Sequence, residues 1–281
     1  MWQGVHTAMV TPFSAGELDL PSWKSLLLRQ VEGGVQGVVV AGTSGESPTL
    51  DDGERAVLLD SALDVVAGRI PVTMGVGTNV TRSTVANTEA ARRAGASAAL
   101  LVLPYYNKPT AAGLRAHVRA TAEVGLPVIV YHVPGRTAQR LAPELLGELC
   151  SIPGVVACKE ATGDLTYVQD LMSACAVPVL SGDDFTWMPA LSVGASGVIS
   201  VVSNVAPALT TRVWTAWQAG DVRAARLTHA RLYPVVKFLF AETSPGPCKQ
   251  ILAALELCEG GLRLPLVAGA APPADLLVGL A

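Results

Sequence analysis

A short apolar run ends in a lysine at Gly154-Val155-Val156-Ala157-Cys158-Lys159-Glu160-Ala161. A strand that is buried on both faces of a parallel sheet reads as continuous apolar residues, so this run predicts a buried strand. Burial penalises the ammonium form of a lysine and favours the neutral amine, which attacks carbonyl groups. Lys159 is therefore a candidate Schiff-base lysine. The alternatives are a lysine that extends to solvent, or one half of a buried ion pair.

Seven further runs of this kind alternate with amphipathic stretches, which predicts alternating strands and helices. The eight runs are Val5–Phe13, Val35–Gly42, Pro71–Gly77, Ala98–Tyr105, Pro127–Pro134, Gly154–Ala161, Val177–Gly182 and Gly197–Ser203. The helical stretches include Asp51–Ala67, Thr81–Ala94, Thr110–Val124 and Asp164–Ala174, with Asp51 and Thr81 expected as helix caps. Eight such units favour an α/β fold, a (β/α)8 TIM barrel, over an open sheet.

The pattern changes after Gly220, where helical stretches follow one another without strands between them. These stretches are Asp221–Phe240 and Cys248–Glu259. We therefore predict a barrel catalytic domain over residues 1–220 and a C-terminal helical appendage over residues 221–281.

Composition and charge exclude several classes of protein. A net charge of -3 leaves no basic stripe for nucleic acid or an anionic membrane. No signal peptide and no apolar run of the roughly 20 residues that a membrane span needs are read from the sequence. The five cysteines form an odd set without a C-x-x-C pair, which indicates reduced thiols in a cytoplasmic enzyme.

Signatures of metal and nucleotide sites are weak. The four histidines lack metal-ligand spacing, so no metal is expected. Gly75-Val76-Gly77 lacks the third glycine of a dinucleotide loop, and no P-loop or nucleophile elbow is present.

Polar residues gather where the predicted strands end, which in a barrel is where the chemistry occurs. Each group also has a purely structural interpretation, as a tight turn, as rim tyrosines, as a solvated arginine or as a helix N-cap. A Schiff-base lysine needs a proton relay and donors for a substrate carboxylate. Lys159, Tyr131, Arg136 and Thr43 with its neighbouring N–H groups supply these parts. The groups are Gly42–Ser47, Pro104–Asn107, Tyr131–Thr137 and Ser181–Asp184.

With these residues in view, the chain resembles the dihydrodipicolinate synthase family of the class I pyruvate-dependent aldolase superfamily. The resemblance extends almost from end to end, from Val10-Thr11-Pro12-Phe13 to Leu262-Arg263-Leu264-Pro265-Leu266. The matching blocks are Gly42-Thr43-Ser44-Gly45-Glu46-Ser47, Pro104-Tyr105-Tyr106-Asn107, Tyr131–Thr137, Lys159-Glu160-Ala161-Thr162-Gly163, Ser181-Gly182-Asp183-Asp184 and Gly197-Val198-Ile199-Ser200.

The resemblance implies a cofactor-free reaction in which Lys159 forms an imine with pyruvate. The resulting enamine attacks L-aspartate 4-semialdehyde and gives 4-hydroxy-tetrahydrodipicolinate, for lysine and diaminopimelate biosynthesis. Tyr131, Thr43 and Tyr106 are implied as a proton relay, with Tyr106 reaching into the site of a neighbouring subunit. The family also implies a homotetramer built from tight dimers.

Further roles follow from the same resemblance. Arg136 is implied to bind the carboxylate of the semialdehyde. Thr43 and Ser44 are implied to hold the carboxylate of pyruvate, while Gly182 and Ile199 line the pocket beside the lysine.

The acceptor aldehyde stays open at this stage, because other aldolases of the superfamily share the lysine and the tyrosine. Those alternatives act on 2-keto-3-deoxy acids, 4-hydroxy-2-oxoglutarate or N-acetylneuraminate. Arg136 favours an acceptor with a carboxylate, since its fork of donors matches that group. A non-catalytic keto-acid-binding barrel and a metal-dependent aldolase are hypotheses from other classes.

Some positions depart from the family pattern. Ser44 replaces the more usual threonine, and His132 stands where asparagine is usual; strand alternation predicts that His132 packs away from the barrel interior. In members that lysine inhibits, the inhibitor site uses histidine and glutamate side chains. The corresponding positions here are Asp52, Arg55 and Ser83, with Asn79 and Tyr105 retained. Because Arg55 repels a lysine ammonium, we expect weak or absent inhibition by L-lysine.

Overall fold

The apolar runs form a closed barrel of eight parallel strands in the computed structural model, which describes residues 2–280. The order around the barrel is β1-β10-β9-β8-β7-β6-β5-β4, and β4 pairs with β1 to close it. The predicted α/β TIM barrel is therefore confirmed. The strands within the described residues are β1 (Gly4–Ala8), β2 (Phe13–Ser14), β3 (Glu17–Leu18), β4 (Gly37–Val40), β5 (Val72–Gly75), β6 (Ala98–Val102), β7 (Val128–His132), β8 (Val155–Glu160), β9 (Val179–Ser181) and β10 (Gly197–Ser200).

The first predicted strand was too long. Val5–Phe13 contains the end of β1 at Ala8, while Phe13 belongs to a separate antiparallel ribbon of β2 and β3. The ribbon turns at Ala15 and Gly16, which both have left-handed backbone, with φ of 51° and 86°. Phe13 is buried, so hydrophobicity alone does not separate it from the strand.

Helices connect the barrel strands and continue after the last one. They are α1 (Leu20–Glu32), α2 (Asp52–Val66), α3 (Thr81–Ala94), α4 (Ala111–Ala122), α5 (Pro134–Thr137), α6 (Pro143–Cys150), α7 (Leu165–Ala174), α8 (Trp187–Ser192), α9 (Pro207–Gln218), α10 (Val222–Leu239) and α11 (Gly246–Ala254). Short 3-10 turns occur at Ser47–Thr49, Val202–Asn204 and Ala274–Leu277.

The two expected helix caps turn out differently. Asp51 forms a full capping box on α2, because its side chain accepts from the Glu54 N–H while the Glu54 side chain accepts from the Asp51 N–H. The cap prediction for Thr81 was wrong. Val80 is the N-cap residue of α3, and the Thr81 hydroxyl instead lies 2.9 Å from Nδ1 of His117.

Two helices, α10 and α11, follow Gly220, as expected, but α11 ends at Ala254 and not at Glu259, and residues 255–273 contain no helix. The chain turns away at Glu256, whose φ is +56°. The division into domains at residue 220 stays a prediction.

By contacts within the chain, the molecule divides into two compact units. One comprises the residues up to Gly4 together with Pro71–Ile199, and the other comprises Val5–Ile70 together with the residues from Ser200 onward. None of the helices within residues 2–280 is long and apolar enough to cross a membrane. All five cysteines are free thiols.

Candidate active site

Lys159 is buried at the carboxyl end of β8, with 5% of its surface exposed. Burial lowers the pKa of its ammonium group from the ordinary 10.5 to about 7. The negative charge of Asp184 opposes this shift, and the positive charge of Arg136 adds to it. At neutral pH a large share of Lys159 is therefore the neutral amine that a nucleophile requires.

Tyr131 lies beside Lys159 because β7 and β8 pair in parallel with these two residues in register. The Nζ atom of Lys159 is 4.2 Å from the centre of the Tyr131 ring. A register shift earlier in the pair sets this alignment, since Val128 pairs with Val155 but Ile129 pairs with Ala157. A slip of one residue would pair Tyr131 with Cys158 and send the tyrosine and the lysine to opposite faces.

Gly182, directly after β9, leaves the space that the lysine side chain occupies. A Cβ atom at this position would lie 2.8 Å from Cε of Lys159 and 2.7 Å from Cβ of Ala161. The Gly182 N–H donates to the Glu160 carbonyl at 2.6 Å, which holds the two strand ends together. Ile199, on β10, is fully buried. The structure thus places Gly182 directly against the lysine side chain.

Asp184 is a residue whose importance the sequence did not reveal. The sequence indicated a helix N-cap at Ser181–Asp184, and Asp183 does accept from the backbone N–H of Thr186 at 3.0 Å. Asp184 is instead buried, and its charge raises the pKa of Lys159. Two consecutive acidic residues after a barrel strand are the signal that could have identified it.

Arg136 and Tyr106 lie on exposed segments of the same compact unit as Lys159. Arg136 is on the short helix α5, after β7. Tyr106 follows β6 and is 89% exposed, so its side chain is not packed against the buried lysine of its own chain. Its backbone φ of +70° is left-handed, a strained conformation for a tyrosine that is typical of functional sites.

Thr43 and Ser44 lie in the loop after β4, in the other compact unit. The loop folds on itself, because the Gly45 and Ser47 N–H groups both donate to the Gly42 carbonyl. Ser44 is buried and its Oγ lies 3.3 Å from Oγ of Ser244. Thr43 is half-buried.

His132 packs in the layer outside the barrel interior, as expected. Its ring stacks on Tyr167 with centroids 5.4 Å apart. Its Nε2 accepts from the Leu141 N–H at 3.2 Å, so the proton is on Nδ1, which lies 3.6 Å from the Glu160 carboxylate. Every polar contact of this ring is therefore structural.

Within residues 2–280 no cluster of three or more His, Cys, Asp or Glu side chains is arranged to hold a metal ion. Within Pro71–Ile199 the geometry offers a nucleophilic amine beside a tyrosine, with Arg136 on the segment that follows the strand of the tyrosine. This set suits covalent catalysis on a carbonyl compound.

The comparison with known proteins agrees with this chemistry. The model of the dihydrodipicolinate synthetase family matches residues 1–271. A 4-hydroxy-tetrahydrodipicolinate synthase of Nitratidesulfovibrio vulgaris strain DP4 is 46% identical over 94% of this chain and 91% of its own.

Solved structures give the same result. The dihydrodipicolinate synthase of Thermotoga maritima superposes with a TM-score of 0.95 at 40% identity, over 100% of this chain and 97% of its own. A dihydrodipicolinate synthase described as the first monomeric variant also gives a TM-score of 0.95, at 40% identity, over 99% of this chain and 95% of its own. Family model, relatives and structures cover nearly the whole chain, and the chain therefore belongs to the dihydrodipicolinate synthetase family.

Proposed function

We propose that this chain is a lyase that condenses pyruvate with L-aspartate 4-semialdehyde to 4-hydroxy-tetrahydrodipicolinate, a step of lysine and diaminopimelate biosynthesis. The family and the names of its relatives support this activity over the 2-keto-3-deoxy acid, hydroxyoxoglutarate and sialic acid alternatives. The observation that carries the chemistry is the buried Lys159 amine, with a pKa of about 7, next to Tyr131.

The neutral amine of Lys159 adds to the keto carbon of pyruvate and forms a carbinolamine. Loss of water from this adduct gives an imine and requires a proton at the departing oxygen. The imine then loses a proton from the methyl carbon, and the enamine so formed attacks the aldehyde carbon of the acceptor. Finally the amino group of the acceptor displaces the lysine, which closes the ring and regenerates the free amine.

The proposed roles follow the family pattern. Tyr131, Thr43 and Tyr106 relay protons to and from the reacting oxygens. Arg136 binds the carboxylate of the semialdehyde through its fork of donors. Its exposed position on α5 supports contact with a substrate that arrives from solvent.

The remaining proposed contacts concern pyruvate. Thr43 and Ser44 hold its carboxylate, with support from a loop whose hydroxyls and N–H groups suit an anion. Gly182 and Ile199 line the pocket. A covalent imine at Lys159 makes a separate organic cofactor unnecessary, in keeping with the class I aldolases of this family.

We further propose a homotetramer, a dimer of dimers, in which Tyr106 completes the site of a neighbour. The exposed, left-handed Tyr106 supports this role, because such a conformation persists where it has a function. The five free cysteines support a reducing, cytoplasmic setting.

The acceptor is tested by kinetics with L-aspartate 4-semialdehyde and with aldehydes that lack a carboxylate. We expect Arg136→Ala to raise the KM for the semialdehyde about tenfold or more, because a charge-assisted pair is lost, while imine formation with pyruvate persists. An unchanged KM, or faster turnover of an uncharged aldehyde by the unaltered enzyme, would contradict the assignment of the acceptor.

A further inference from the structure

The backbone around Thr43 and Ser44 is held in an unusual conformation. Ala41 and Glu46 lie on either side of them and have left-handed φ values of 50° and 55°. Such conformations are unfavourable for residues other than glycine, and they persist only where the surroundings enforce them. Something outside the loop must therefore stabilise it.

The side chain of Glu46 supplies that restraint from a buried position. One carboxylate oxygen of Glu46, Oε1, lies 2.5 Å from Nζ of Lys249, which is 0% exposed. The other, Oε2, accepts from the backbone N–H of Arg263 at 3.1 Å. Both oxygens are thus bound by groups about 200 residues away in sequence.

Lys249 is itself fixed by further contacts. Its ammonium donates to the Gly261 carbonyl at 2.7 Å and lies 4.3 Å from the centre of the Phe13 ring. Burial lowers the pKa of Lys249, and the carboxylate of Glu46 opposes that shift. The two groups are in direct contact at a place where either charge alone would be costly.

A second contact from the C-terminal residues reaches the loop directly. Oγ of Ser244 lies 3.3 Å from Oγ of Ser44. All of these residues belong to the same compact unit, so their mutual geometry is well defined. The C-terminal residues 244–263 hold the loop at two points, the Ser44 hydroxyl and the Glu46 carboxylate.

We propose that Glu46 and Lys249, with Ser244, are positioning residues that set the affinity of the enzyme for pyruvate. They act through the loop 42–47, which they keep in the conformation that presents the donors of Thr43 and Ser44. Lys249 also neutralises Glu46, so that a substrate carboxylate meets no uncompensated anion at this loop. The inference rests on the proposed function, since it assigns the origin of the pyruvate site.

The test is the pyruvate concentration at which borohydride trapping labels half of the protein, measured by intact mass. Variants are Lys249→Met, Glu46→Gln and Ser244→Ala. The matched control is Glu148→Gln, which weakens an ion pair that does not involve the loop or the C-terminal residues, the one with Arg115 between α6 and α4. The folded fraction is measured by circular dichroism, and trapping is carried out below the melting temperature of each variant.

We expect half-labelling of Lys249→Met to require at least about ten times more pyruvate than the unaltered enzyme, with smaller increases for Glu46→Gln and Ser244→Ala. Labelling at saturating pyruvate and the KM for the aldehyde stay near the values of the unaltered enzyme. The Glu148→Gln control is unchanged in these two quantities and in half-labelling. If Lys249→Met does not fold, the other two variants decide by the same criteria.

The proposal is overturned if folded variants reach half-labelling at the same pyruvate concentration as the unaltered enzyme. It is also overturned if that concentration is unaltered while the maximum labelling falls, because this is the result expected of a purely structural ion pair. Failure of the proposed imine chemistry is distinguishable, since the unaltered enzyme would then take up no pyruvate at all, and a different acceptor aldehyde would leave this test unaffected.

Discussion

The chemistry that we propose for this protein depends on a single buried amine, that of Lys159. Burial lowers the pKa of Lys159, while two charges with opposite effects adjust it, Asp184 upward and Arg136 downward. The sequence predicted Lys159 and Tyr131, because a lysine in an apolar run and a tyrosine at a strand end are visible locally. It did not predict Asp184 or Lys249 as partners, since burial and pairing depend on residues that are distant in the chain.

The rate of imine formation is expected to rise with pH through about 7 and to level off above it, because only the neutral amine of Lys159 reacts. Asp184→Asn removes the negative charge that stabilises the ammonium form of Lys159, so we expect the midpoint of the pH profile to move to lower pH. Arg136→Ala removes a repelling charge and shifts it to higher pH. Arg140→Ala, an exposed arginine paired with Asp164, serves as the control. Stopped-flow kinetics from pH 5.5 to 9 measure the midpoint of each variant. Midpoints that shift in the opposite directions would disprove this electrostatic explanation.

Gly182→Ala tests the space around the lysine. The added Cβ would lie within 2.8 Å of Lys159 Cε, so the amine must move, and we expect kcat to fall about a hundredfold or more with the fold retained. Gly135→Ala is the control, because a Cβ there has no neighbour within 4 Å. Steady-state kinetics and a thermal melt measure both variants, and near-normal kcat in Gly182→Ala would show that the lysine does not depend on this gap.

At the level of strands and helices, the alternating pattern predicted all eight barrel strands, because each is buried and bounded by turn residues. It could not predict the register shift between Val128 and Ile129 that aligns Tyr131 with Lys159. That alignment depends on pairing between strands, which a linear pattern does not encode. The Thr81 cap failed for a similar reason, since its hydroxyl contacts His117 on another helix.

Two substitutions at helix caps are expected to change the free energy of unfolding in opposite directions. Asp51→Ala removes the capping box of α2 and should lower the free energy of unfolding by about 1 kcal/mol. Val80→Asp supplies the side-chain cap that α3 lacks, in the extended backbone that a cap requires, and should raise it by about 0.5 to 1 kcal/mol. Urea unfolding curves with equal slopes measure both changes. If both variants changed the free energy of unfolding in the same direction, the assigned capping pattern would be contradicted.

At the scale of the whole molecule, we propose that one chain is not the complete catalyst, because the exposed Tyr106 is expected to act in the site of a neighbouring subunit. Mixing Lys159→Ala with Tyr106→Phe subunits tests this by complementation. In a mixed dimer the site with an intact lysine receives Tyr106 from its neighbour, so activity should recover to about a quarter of the unaltered enzyme. Each variant alone is the control. No recovery after subunit exchange, verified by native mass spectrometry, would place Tyr106 in its own site or outside the reaction.

The response of the enzyme to L-lysine, the end product of the proposed pathway, is a prediction from the sequence. Because Arg55 and Ser83 replace the residues that bind a lysine ammonium in inhibited relatives, we expect millimolar L-lysine to leave the rate nearly unchanged. Initial rates at saturating pyruvate measure this, with L-arginine as a control for salt. A rate halved by millimolar L-lysine would refute the expectation.

The most direct measurement is borohydride reduction in the presence of pyruvate, followed by intact mass and peptide mapping. We expect one pyruvate-derived adduct for each chain, on Lys159, with no adduct in Lys159→Ala. An unlabelled protein, or a label on another lysine such as Lys249, would contradict the central claim that the buried Lys159 amine captures the keto acid.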